Sequence, residues 1–141
     1  FEAMCWHDVH VHAFRIIEGE HGCAELLLDI DYILEWRTSE KPFVFVLAQA
    51  TLQFHKVHDL ILSLDYAKVQ AGMCAFSIDG IEREVMTYPN GHTSFKWRLL
   101  VNWPDGAITF KSPGFTQTRV SEPTTQSGQS LSSTMRRFDL V

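Results

Sequence analysis

The chain has 141 residues, 45% hydrophobic and 12% aromatic, with a formal net charge of −5. That is enough apolar material for one domain to bury a core without metal or disulfide staples. The acidic balance argues against a nucleic-acid or anionic-membrane surface, which needs a concentrated Lys/Arg face, and leaves a cationic protein partner allowed.

The first element is "WHDVHVH", Trp6 to His12, which places three histidines beside an aspartate. In a strand, Asp8, His10 and His12 share one face, about 7 Å apart from i to i+2. Two imidazoles so placed can converge on one ion, but a catalytic zinc site needs a third protein ligand. His55, His58 and Asp59 in "FHKVHDL" are the candidates for it. The plainer expectation is a strand whose histidines are solvated or bonded to Asp8, with no metal and no cofactor. Cys5, next to Trp6 and His7, invites a Cys–His nucleophile, but sequence-adjacent side chains on a strand point apart.

The pattern then alternates. In "CAELLLDIDYILEW" the even positions, Leu26 to Trp36, are apolar, while Glu25, Asp29, Asp31 and Glu35 make an acidic opposite face. That face is expected to be solvated, or paired across the sheet with Lys96, Arg98 or Lys111. Two carboxylates on one strand face meet glycosidase spacing trivially, so the pair carries little weight as catalytic machinery. "FVFVLAQATLQF" (43–54) is apolar on both faces and predicts a central strand with a bulge near Gln49. "QATLQFHKVHDLI" has partial helical spacing, which leaves a short helix there as an alternative. "LILSLDY" and "FKWRLLVNW" alternate again, the latter with Phe95, Trp97, Leu99, Val101 and Trp103 on one face. Trp36, Trp97 and Trp103 are expected in the core rather than as sugar platforms.

Gly-containing turns separate the runs: "EGEHG", Asp79-Gly80, Asn90-Gly91 and Asp105-Gly106. The result is an all-β, mainly antiparallel single domain over residues 1–120. It is expected to be a sandwich or partly open barrel of about seven to nine strands with little helix. Residues 121–141 form a polar Ser/Thr/Gln-rich tail. With one apolar residue, Leu131, in "SEPTTQSGQSLSST", it is expected to hug the surface or move freely. "MRRFDLV" is amphipathic but too short for a free helix.

Cys5, Cys23 and Cys74 are odd in number and widely spaced, which fits buried free thiols in a reducing cytoplasm better than a disulfide framework. No basic region followed by an apolar run opens the chain, and no apolar stretch reaches the roughly 18 residues a membrane helix needs. A cytoplasmic location follows as the expectation. GxSxG, P-loop, GxGxxG and HExxH motifs are absent from the sequence.

The blocks "WHDVHVHAFRI", "ELLLDIDYILEW", "ATLQFHKVHDLILSLDY", "IDGIEREVM" and "ITFKSPGFTQTRV" resemble a family of short uncharacterised bacterial proteins. Its members carry a WHDxxVH start, an ELLLDIDYI strand, an ATLxFxxVHDL block and a GFTQT segment. The resemblance covers nearly the whole chain and brings no functional residues with it. The layout is also similar to small all-β immunity proteins of bacterial toxin systems, with an F/W-H-D first strand and a long acidic second strand. That likeness implies a non-enzymatic protein-interaction module with a partner on the acidic face. The alternatives are a small metal-dependent hydrolase using His10 and His12, or a small-molecule-binding β-barrel.

Overall fold

The structure, a computed structural model, describes residues 1–39, 41–68 and 72–137. Alternation with period two exposes one side of each strand and buries the other, so the sheet curls on itself. Strands make up 63% of the described chain. They are β1 (Val9–Glu18), β2 (Ala24–Arg37), β3 (Val44–Leu64), β4 (Phe76–Thr87), β5 (Thr93–Trp103), β6 (Gly106–Ser112), β7 (Gly114–Arg119) and β8 (Thr124–Gln126). All pairings are antiparallel and run β2-β1-β4-β5-β6-β3, and β3 returns to β2. Six strands thus form a ring, with β7 and β8 added on the free side of β3. The ring is weakest between β1 and β4, which pair only through Val9–Val11 and Phe76–Ile78.

The axis of the ring is filled by side chains. Leu28, Ile30, Leu52, Ile78, Trp97 and Leu99 are completely buried. Phe54 meets Trp97 and Phe110 edge-on, at centroid distances of 5.1 and 4.7 Å. Phe1 and Trp6 join the same aromatic cluster through Trp97 and Phe115.

Strand β3 organises the rest. It is one strand of 21 residues, not two, and it contains no helix. Its first part pairs with β2 and with β7 and β8; its last part pairs with β6. The change of partner occurs at a kink where Lys56 and Asp59 take positive φ (48° and 52°). Such a backbone is costly for a side-chain-bearing residue and needs fixing from outside. Glu25 supplies this: it accepts bonds from the Lys56 amide (3.0 Å), Gln53 (2.8 Å) and His55 (2.7 Å). The irregularity therefore sits at the kink rather than near Gln49, whose register with Asp31 is regular.

Four other sequence expectations change. A bulge in β2 between Ile33 and Glu35 reverses its faces. Ile33 is buried, while Leu34 and Trp36 are 44% and 39% exposed. Asp79-Gly80 is a bulge inside β4, not a hairpin turn, whereas Asn90-Gly91 does close the β4–β5 hairpin with Gly91 at φ 80°. Trp103 ends β5 at 43% exposure, and Cys5 and Cys74 are exposed rather than buried thiols.

The C-terminal segment departs most from expectation. β8 pairs with Phe45–Leu47, Leu131 is part of the buried core, and Arg136 is 7% exposed. Polar bonds to buried groups fix this segment where apolar burial alone could not. The final residues, 138–141, lie outside the described residues.

Two substitutions test the packing. Ile30→Ala is expected to cost about 2–5 kcal/mol in urea melts, from lost transfer energy plus a cavity. A Cβ on Gly106 would stand 2.1 Å from the Ser63 carbonyl oxygen, where β6 closes on the end of β3. Gly106→Ala is therefore expected to cost about 1–3 kcal/mol by overpacking, and a neutral result would contradict this closure.

Candidate functional site

The histidines and carboxylates singled out by the sequence fall into separate groups. His10 pairs in register with Asp31, and Asp31 with Gln49, so the outer faces of β1, β2 and β3 bring polar groups together at mid-strand. Across them runs the C-terminal segment. Arg136 enters with a side chain 1% exposed and pairs with Asp29 at 2.5 Å and with Asp31. Asp29 and Asp31 are themselves 4% and 0% exposed.

Further polar groups close on this cluster. Asp31 Oδ2 accepts from the Leu131 amide (2.9 Å) and Ser130 Oγ (3.1 Å), and lies 2.8 Å from His12 Nε2. Gln49, fully buried, donates to Asp29 (3.0 Å) and to the Arg137 carbonyl (2.8 Å), and its Oε1 accepts the Arg137 amide (2.8 Å). Asp8 is bonded to Asn102 (2.8 Å) and Gln129 (3.0 Å). Burying charges is tolerable only with this density of partners.

The expected acidic face does not exist as one open surface. Glu25 holds the β3 kink, Asp29 and Asp31 are covered by the C-terminal segment, and Glu35 lies against Arg37 at 2.8 Å. Lys111 binds Asp59 at 2.6 Å instead of reaching Asp29 or Asp31. Burial works against the charge on Glu25, but its bonds from Gln53, the Lys56 amide and His55 hold the carboxyl below its usual range.

The cluster has the residue types of acid–base chemistry without its geometry. Ser130 Oγ is 3.4 Å from His12 Nε2, but Asp31 contacts that same nitrogen. A nucleophile triad needs the carboxylate on the opposite ring nitrogen, so that one nitrogen stays free to take the hydroxyl proton. Both carboxylates also face a fixed guanidinium, which engages them and repels a metal ion. His10 and His12 have ring centroids 6.5 Å apart. The proposed third ligands are distant: His55, His58 and Asp59 lie six to ten residues along β3 from Gln49, about 20–33 Å at strand rise. They are engaged locally, His55 with Glu25 and Thr116, Asp59 with Lys111. Among the described residues no group of three His, Cys, Asp or Glu side chains is placed to hold a metal. Cys5 and His7 form no dyad, since His7 Nδ1 contacts the Asp79 carbonyl and its ring stacks on Trp36.

The sequence reading missed Gln49, Ser130 and Arg136. A lone Gln in the apolar run "FVFVLAQATLQF" was the available signal for the first. No local signal marked Arg136, which meets its partners across more than a hundred residues. Comparison of the chain with protein-family models and with curated proteins gives no match. Among the described residues no helix is long and apolar enough to cross a membrane.

Burial, and next the Arg136 guanidinium, push His12 down from the ordinary 6.5 to about 4, against the pull of Asp29. His10 is pushed down too, by burial first and then by His12. These imidazoles are neutral in the folded protein but charge in the unfolded chain below about 6.5. The unfolded state then binds more protons, so stability falls as pH drops through the window from about 6.5 to about 4. The thermal midpoint is expected to decline across that window in the wild type and to decline less in His12→Gln. A wild-type midpoint flat from pH 7 to pH 4.5 would contradict the burial of His12.

Removing the cation tests the ion cluster directly. Arg136→Met leaves two buried carboxylates facing each other and is expected to cost about 3–5 kcal/mol at neutral pH. Its stability should rise, not fall, on mild acidification, because protonation neutralises the uncompensated charge. A loss below about 1 kcal/mol would mean that the pair is solvated in solution.

Proposed function

We propose that this protein is a non-enzymatic protein-interaction module, with neutralisation of a bacterial toxin as its task. The observation that carries the reading is the open seam of the barrel. β1 pairs with β4 only over Val9–Val11, so among the described residues Ala13–Glu18 have β2 on one side and no strand on the other. This edge is apolar: Phe14 and Ile16 are 43% and 51% exposed, although they share a sheet face with the buried Leu28 and Leu26. An unpaired, apolar edge promotes uncontrolled association unless a partner uses it. An extended segment of a partner protein can add to such an edge through main-chain hydrogen bonds, with alternate side chains seated on the apolar face.

The partner surface is thus moved from the acidic face, which the C-terminal segment covers, to the β1 edge. The net charge of −5 favours a cationic partner. The direction toward a toxin comes from the likeness to small all-β immunity proteins. The closed ion cluster speaks against a hydrolase built on His10 and His12, because His12 is bonded to Asp31 beside a fixed cation.

The test looks for a neighbouring gene whose product arrests growth when expressed alone, and pairs this protein with that product; absence of any such gene would count against the reading. Co-expression is expected to restore growth, and the purified pair to form a stoichiometric complex. Ile16→Asp is expected to abolish both while leaving the thermal midpoint near the wild type, since Ile16 is half exposed. Absence of complex and rescue would overturn the reading. So would near-stoichiometric metal in untagged protein that is lost in a His10→Ala, His12→Ala variant, which would favour the hydrolase.

A further inference from the structure

The kink in β3 has a second consequence. It turns Lys56 and His58 toward the β4–β5 turn, and a cleft of about 630 Å³ opens between them. Lys56, His58, Tyr88, His92, Ser94 and Pro113 are among its lining residues. The turn is well fixed: the Tyr88 amide donates to the His92 carbonyl at 2.8 Å, and the two rings stack at 6.0 Å.

Two features of this cleft point to a ligand. The first is its charge. In a protein of net charge −5, no carboxylate stands among the described lining residues, which supply an ammonium, two imidazoles and hydroxyls. The nearby carboxylates are already engaged, Glu25 with the Lys56 amide and Asp59 with Lys111. The second is Ser94. It is 3% exposed, lines the cleft, and its Oγ is a buried polar atom with no hydrogen-bond partner among the described residues. Buried hydroxyls are rarely left so, and a bound acceptor would satisfy it. Tyr88, Pro89 and Pro113 give the walls flat apolar surface.

We propose that this cleft binds a small organic anion, an anionic oxygen group carried on a flat apolar body. Lys56 provides the charge, His92 provides a ring N–H donor, and Ser94 donates its hydroxyl, while His58, whose Nδ1 meets the Lys56 carbonyl oxygen at 3.3 Å, forms part of the wall. The cleft shares no lining residue with the β1 edge Ala13–Glu18, and the proposal does not depend on that edge.

Benzoate and phenyl phosphate serve as probes, titrated into isotope-labelled full-length protein and followed by amide chemical shifts. At least one is expected to give saturable shifts concentrated at His58, His92 and Ser94, and their relative affinity identifies carboxylate or phosphate as the preferred group. Inorganic phosphate should bind more weakly because it lacks the apolar body, and benzylamine should not compete. Lys56→Gln is expected to weaken the better probe about tenfold, the size of one charge-assisted bond. Ser94→Ala is expected to weaken it by about threefold to tenfold while the thermal midpoint holds or rises, since no internal bond is lost. No saturable shift up to the solubility limit of either probe would overturn the proposal. Equal binding of benzylamine would reduce the cleft to apolar adsorption and overturn it as well. A Ser94→Ala variant with unchanged affinity and a lowered midpoint would assign the hydroxyl an internal role instead.

Discussion

The buried guanidinium of Arg136 between Asp29 and Asp31 is the constraint on which the placement of the C-terminal segment depends. Two carboxylates on one strand face, both shut off from water, cannot stand without a cation. The chain provides that cation from a segment more than a hundred residues away. Once Arg136 is in place, its neighbours follow: the Arg137 backbone closes on Gln49, and Ser130 and the Leu131 amide close on Asp31. A segment with one apolar residue in fourteen is thereby ordered by hydrogen bonds to groups that would otherwise be unsatisfied.

The same arrangement decides the chemistry of the face. His12 sits beside a carboxylate, yet burial and the guanidinium keep it neutral. Asp29 and Asp31 are acceptors in a cluster with Arg136, Gln49, Ser130 and the Leu131 amide. What looked in the sequence like a metal or acid–base site is where the C-terminal segment is fastened to the sheet. The surfaces left available are elsewhere, at the unpaired β1 edge and in the cleft beside the β3 kink.

The period-two pattern was enough to make the fold class legible, because alternation in four separate runs has one structural meaning. Leu26, Leu28, Ile30, Trp97 and Leu99 face inward as that pattern requires. The pattern failed where a strand changes face. The β2 bulge at Leu34 turns Trp36 outward, and the positive-φ residues Lys56 and Asp59 let β3 continue where the sequence suggested a break. Neither residue is a glycine, so no turn signal announced them. The candidate site was half legible: the carboxylates were visible on one face, but solvation was the natural reading of an acidic stripe. The cation that buries them lies in a stretch whose composition resembles a free tail. Periodicity reports local facing and says nothing of a partner so far along the chain.

Native-state proteolysis of the full chain tests the central claim most directly. Cleavage between Ser127 and Thr134 should require unfolding of the β2–β3 region, so its rate should follow global stability in denaturant. The same sites should open early in Arg136→Met. Rapid cutting of the wild type within this segment under native conditions, leaving a core of unchanged thermal midpoint, would contradict the account.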